Sequence, residues 1–291
     1  MKTIEKVYTS NQSTWVGDGF PTNSMLPMQE LGNATSPLLV MGYTGSYPFS
    51  PAHHQRGVGM HPHRGFETVT IVYDGELEHH DSKGNSGKIG KNEVQWMTAG
   101  RGIMHEEHHS KDFAKNGGNL DMIQLWVNLP SHAKMTEPRY QELTESNIPE
   151  VQLKNDNGDD HGIVRVIAGH YAKGNRSVKG PAKTFSPLHL LDVRLNKGVT
   201  ESFDFNPEWN NIIFVLYGQV KIDGQEFKSF QTVYLTHEVD SVTIECSEDS
   251  KLLIMSGEPL NEPIAAHGPF VMNTQAEIQQ AFVDYQNGQF A

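Results

Sequence analysis

The chain has a single cysteine, Cys246, among its 291 residues. One thiol cannot close an intrachain disulfide, so nothing in the sequence calls for an oxidising compartment. Long apolar runs are also missing, and no stretch approaches the ~20 apolar residues of a membrane-crossing helix. Residues 1–7 lack the apolar run of a secretory leader. A soluble, cytoplasmic protein is expected. Basic residues are scarce beside acidic ones: 23 Lys and Arg against 35 Asp and Glu leave a formal net charge of −12. A surface of that sign repels phosphate backbones, which disfavours direct nucleic-acid binding and is compatible with a monomer.

The chain exceeds the length of one average domain and can bury a core in each of two halves without disulfide or metal staples. Short runs rich in Val, Ile, Leu and aromatics recur between Gly, Asn and Asp punctuation, as in 67–73 ahead of Asp74-Gly75, then 87–89 and 94–97. That is an all-β rhythm. In 120–129, Met122, Gln124, Trp126 and Asn128 alternate with Ile123, Leu125, Val127 and Leu129, so one face can line a pocket. Composition turns polar after Pro130, with a short helix expected around Tyr140 to Thr144.

The β rhythm resumes at Val151 and continues through 162–168, 188–195, 211–217, 220–222 and 252–255. Ile71-Val72-Tyr73-Asp74-Gly75 and Val215-Leu216-Tyr217-Gly218 read as one strand-turn-strand used twice, the mark of a duplicated barrel. The expected organisation is a first barrel over 1–130, a linker over 131–150, and a second barrel over 151–291 that includes a terminal helix. Asn273-Thr274 starts that helix, and Ile278, Ala281, Phe282 and Tyr285 fall at helical spacing.

Fifteen histidines are many, and the doublets His53-His54, His79-His80 and His108-His109 read as surface composition. Spacing singles out others. On an extended strand His61 and His63 project to one face with Pro62 on the other, and His105 and Glu107 repeat the geometry with Glu106 turned away. Two such strands brought together offer three imidazoles and a carboxylate. Donors of this kind bind a first-row divalent ion and leave positions open for chemistry.

Three segments carry a family resemblance: His61-Pro62-His63-Arg64-Gly65-Phe66-Glu67-Thr68, Gln95-Trp96-Met97-Thr98-Ala99-Gly100-Arg101-Gly102 and His267-Gly268-Pro269-Phe270-Val271-Met272-Asn273-Thr274. They resemble the signature segments of the pirin family, within the cupin superfamily. The resemblance implies a bicupin, two antiparallel β-barrels with a short C-terminal helix, and one Fe(II) ion held in the first barrel by His61, His63, His105 and Glu107. Mn, Ni, Co, Cu or Zn would also suit these donors. Glu67, at the place where other cupins put a ligand, is expected to orient a ligand by hydrogen bonding instead. The second barrel has no His-x-His near Asn210-Asn211 and is expected to hold no matching site.

The resemblance further implies a quercetin 2,3-dioxygenase type of activity, in which a flavonol ring is opened by O₂. Glu107 is then the candidate base, with Gln124 and Met122 in the substrate pocket. The alternative is a non-enzymatic, iron-dependent redox sensor or transcriptional co-regulator acting through a protein partner.

Overall fold

Short strands make up most of the described residues, some with alternating burial and the central ones buried on both faces. The computed structural model describes residues 3–10, 13–27, 32–155, 157–174 and 176–290. They divide into two compact units, one holding 13–27, 32–33, 38–145 and 260–290, the other 3–10, 34–37 and the described residues of 146–259.

The first unit has a seven-stranded antiparallel sheet in the order Arg139–Leu143, Val94–Thr98, Phe66–Asp74, Gly118–Asn128, Leu38–Phe49, Phe20–Leu26, Ser13–Val16. A four-stranded sheet, Gly57–His63, Ile103–His109, Leu77–Asp81 and Ser86–Ile89, completes it. The second unit repeats the plan. Its seven strands run Ile4–Thr9, Gln231–Leu235, Asn210–Tyr217, Ser250–Gly257, Leu188–Leu195, Asp160–Ala168, Glu150–Lys154, and its four run Thr200–Asp204, Ser241–Cys246, Gln219–Ile222, Gln225–Lys228. The fold is all-β with one C-terminal helix, Gln275–Gln286. The turns that suggested duplication correspond, with Gly75 and Gly218 both at positive φ, +92° and +87°.

Sheet order places the Ser241–Cys246 strand of the second unit where the first has Ile103–His109. Its alternate residues Val242, Ile244 and Cys246 join an apolar core with Phe203, Val215 and Leu252. Burial pushes the Cys246 thiol up to about 11. The first unit spends the matching positions on His105 and Glu107.

One expectation needs correction. Residues 139–143 form a strand rather than a helix, because Arg139 to Leu143 pair antiparallel with Thr98 to Val94, and Tyr140 packs on the Met97, Ala99 and Ile103 cluster. Residues 260–290 fall in the same compact unit as 38–145. Ala265, Phe270, Met272, Ile278, Ala281 and Phe290 form one apolar cluster against which Met104 packs. Thr274 and Glu277 close a reciprocal capping box at the helix start.

The polar stretch after Pro130 is anchored at Lys134. Lys134 is buried, and its ammonium donates to Gly65 O at 2.8 Å, Asn128 Oδ1 at 2.7 Å and Val271 O at 2.9 Å. Three acceptors meet its three N–H groups, while burial pushes it down to about 7. No helix among the described residues is long and apolar enough to cross a membrane.

Candidate metal centre

Register brings the histidines together. In the four-stranded sheet His105 lies opposite His61, and Ile103 opposite His63. The Ile103–His109 strand alternates buried Ile103, His105, Glu107 and His109 with half-buried Met104, Glu106 and His108. His61, His63 and His105 present ligand atoms within 4.8 Å of one another, with ring centroids 4.3 to 4.9 Å apart. The chain turns sharply after the first pair. Gly65 sits at φ +86°, and a Cβ there would fall 1.9 Å from Val271 O, so only glycine fits both backbone conformation and neighbour.

Each ring is held by its Nδ1. His61 Nδ1 lies 2.9 Å from Gly59 O and His63 Nδ1 lies 3.3 Å from Pro269 O. Because a carbonyl only accepts, both rings carry hydrogen on Nδ1 when neutral and expose a bare Nε2. His105 Nδ1 lies 3.4 Å from His79 Nδ1, and its buried Nε2 has no hydrogen-bond partner among the described residues. Burial, reinforced by His61, pushes His63 down to about 3. Burial, with His63 and His61 adding, also holds His105 well below its usual range. Neutral imidazoles with free lone pairs are what a transition-metal ion binds, so the residues present fit such an ion.

Glu107 falls in a second group, with His79 and His105. Its carboxylate accepts from Gln124 Nε2 at 2.7 Å, Gln95 Nε2 at 3.2 Å and Thr70 Oγ1 at 3.3 Å. His61 and Glu107 border one cavity of about 170 Å³. Gln124 and Met122 lie on its wall, with apolar sides from Phe20, Val40, Val58 and Trp126.

Glu67 does not do what its position in the sequence suggested. On the Phe66–Asp74 strand it projects opposite to Thr70, which reaches Glu107. It accepts from Thr98 Oγ1 at 2.6 Å and lies 3.8 Å from Arg139 Nη2, with no hydrogen bond to the three histidines among the described residues. Burial pushes it up to about 7 against the Thr98 and Arg139 contacts.

Sequence reasoning passed over His79, Asp81, Gln95 and Thr70. His79 is 1% exposed rather than superficial and stacks on Tyr140 at 4.9 Å. The available signal was alternation in Leu77–Asp81, whose buried residues are Leu77, His79 and Asp81. His109 is also buried, 2.9 Å from Gly19 O, while His80 is exposed.

The family model for pirin matches residues 19–127, and that for the pirin C-terminal cupin domain matches 190–291. A Pseudomonas aeruginosa protein, named as a candidate quercetin 2,3-dioxygenase, is 47% identical over 290 residues, covering 100% of this chain and 99% of its own. This chain belongs to the pirin family. Human pirin is 37% identical over 277 residues, covering 93% of this chain and 88% of its own. Among solved structures, a quercetin 2,3-dioxygenase from Acinetobacter baumannii superposes with a TM-score of 0.94 at 44% identity, covering 100% of this chain and 99% of its own.

Proposed function

We propose that this pirin is a metal-dependent oxidoreductase of the quercetin 2,3-dioxygenase type, which opens an aromatic flavonol-like ring with O₂. The observation carrying the reading is the cavity, where apolar walls meet His61, Glu107 and Gln124 beside the three-histidine cluster. Apolar enclosure with a few convergent polar groups is the usual form of a small-molecule site. His61 is half-buried where the others are buried, so the cluster communicates with solvent as turnover requires. The two full-length relatives named for this activity support the same reading.

His61, His63 and His105 would hold an iron ion through their Nε2 atoms, with Glu107 as the fourth donor or as base. When bound, such an ion would lower the pKa of a coordinated hydroxyl and give access to one-electron chemistry with O₂. The chain's own residues do the rest. A carboxylate has about four acceptor positions, and Glu107 has three engaged, so one remains for the proton of a substrate hydroxyl. Gln124 fixes that carboxylate from the cavity side, while Trp126 and Phe20 line the cavity with apolar surface for an aromatic ring. A volume of about 170 Å³ is below the ~300 Å³ of a pocket that encloses a drug-sized ligand. A flavonol therefore seats its reacting ring inside and leaves the remainder at the mouth. Both atoms of O₂ enter the products, and one ring carbon departs with its oxygen as carbon monoxide.

The test is anaerobic loading with Fe(II), then quercetin and O₂, with flavonol absorbance, oxygen consumption and carbon monoxide followed for the parent and His61→Ala. Equal loss of flavonol and O₂ with matching carbon monoxide, abolished in His61→Ala, is expected. A filled metal site without turnover overturns the assignment for quercetin and favours the redox-sensor alternative.

A further inference from the structure

Two of the three clustered imidazoles are oriented by backbone carbonyls, which can only accept. The third, His105, faces another imidazole, and two ring nitrogens can share a hydrogen bond in either direction. Its lone pair points into the cluster only if something settles that choice. We infer that the buried pair Asp81 and His79 forms a hydrogen-bond relay that fixes the hydrogen of His105 on Nδ1 and so aims its bare Nε2 at the metal position.

The direction of the chain follows from Asp81 outward. The Asp81 carboxylate accepts from the backbone N–H of Lys83 at 2.9 Å and of Asn85 at 3.0 Å, and from Asn85 Nδ2 at 2.9 Å. A carboxylate so anchored cannot turn away, and its Oδ2 lies 3.4 Å from His79 Nε2. That nitrogen is therefore the donor, which leaves His79 Nδ1 as the acceptor in a neutral ring.

An independent contact gives the same answer. Gln95 Nε2 lies 3.2 Å from Glu107 Oε1, a carboxylate oxygen, and 3.2 Å from His79 Nδ1. The amide nitrogen must face the carboxylate, so its second hydrogen points at His79 Nδ1, which accepts. His79 Nδ1 therefore has no hydrogen to give, so the 3.4 Å contact joins the two rings only when His105 Nδ1 donates, sharing that lone pair with Gln95, and the orphaned His105 Nε2 is left bare. Tyr140, stacked on His79 at an interplanar angle of 18°, holds the ring in plane.

His79 and Asp81 are thus positioning residues, and Gln95 links them to Glu107. This inference rests on the metal reading for its purpose but not for its test. In the metal-free protein, ¹⁵N-resolved imidazole spectra report which nitrogen of each ring carries hydrogen. The expected pattern is Nδ1–H for His105 and Nε2–H for His79. The opposite tautomer at His105 overturns the relay, whatever the protein proves to catalyse.

Co(II) uptake, read by its visible absorption and by equilibrium dialysis, gives the second readout. His79→Leu removes the acceptor and is expected to weaken Co(II) binding by roughly 10- to 100-fold, the range of lost outer-sphere partners. His79→Asn puts an amide oxygen near the place of Nδ1 and is expected to recover most of that loss. Far-ultraviolet circular dichroism checks that both variants fold. Equal Co(II) affinity in His79→Leu and the parent overturns the relay. If the parent takes up no Co(II), the metal reading fails while the tautomer pattern still decides the relay.

Discussion

Arg64 and Asp284 form an ion pair, Nη1 to Oδ2 at 2.7 Å, that ties the residue after His63 to the C-terminal helix. Both side chains are largely buried, and the guanidinium also donates from Nε to Arg101 O at 2.5 Å and lies 4.6 Å from the Phe290 ring centroid. Breaking one partner of a buried pair leaves a charge without compensation. Asp284→Ala is expected to destabilise the protein by about 3 kcal/mol and to loosen the Pro269 carbonyl that orients His63. Urea unfolding measures the first effect and Co(II) affinity the second. Unchanged values of both would show that the helix is decoration.

Glu67 makes stability depend on pH in an unusual sense. Its native value is raised by burial from the ordinary 4.5 to about 7, so the folded protein keeps a proton that the unfolded chain has released. That contribution is fully present below pH 4.5 and is lost as pH rises through 7. Glu67→Gln stays neutral throughout and lacks the dependence. Between pH 4.5 and 8 the parent is expected to lose up to about 3 kcal/mol relative to the variant. Parallel stability curves from urea titrations would refute this account of the buried carboxyl.

The strands and the pairing of His61 with His63 and of His105 with Glu107 were legible because period-two spacing needs no tertiary information, whereas the three-histidine group also needs Gly57–His63 to pair with Ile103–His109. Other features depended on pairing between distant segments. Residues 139–143 lack a decisive pattern of their own and become a strand by pairing with Val94–Thr98. Lys134 looks like a solvated linker cation until Gly65, Asn128 and Val271 surround it. His79 hid in a doublet with exposed His80, and its register opposite Glu107 appears only when Leu77–Asp81 pairs with Ile103–His109. Glu67 misled because position in a family pattern says nothing of the strand face it occupies.

Metal removal should be visible without any substrate. A ligand that binds only the folded state stabilises it by mass action, about 2.7 kcal/mol when the free ion is 100-fold above its dissociation constant. Metal loading at that level is expected to raise the melting temperature by roughly 5 °C, with the gain abolished by a chelator. His61→Ala should melt near the metal-free parent and show no such gain. A gain that survives the substitution would place the ion elsewhere.

Gln124 and Gln95 both donate to Glu107, yet their surroundings predict different consequences. Gln124 is half-buried on the cavity wall and its Nε2 contacts Glu107 Oε2 at 2.7 Å, so Gln124→Ala removes a single donor where substrate or water can replace it. Quercetin turnover is expected to fall roughly tenfold, the value of one hydrogen bond to a charged group, with melting temperature and Co(II) affinity near those of the parent. Gln95 is 2% exposed and bridges His79 and Glu107. Gln95→Ala leaves both partners facing a buried void, so turnover, metal affinity and melting temperature should all fall together. If Gln124→Ala instead lost the metal, Glu107 would owe its position to the cavity wall rather than to the buried network behind it.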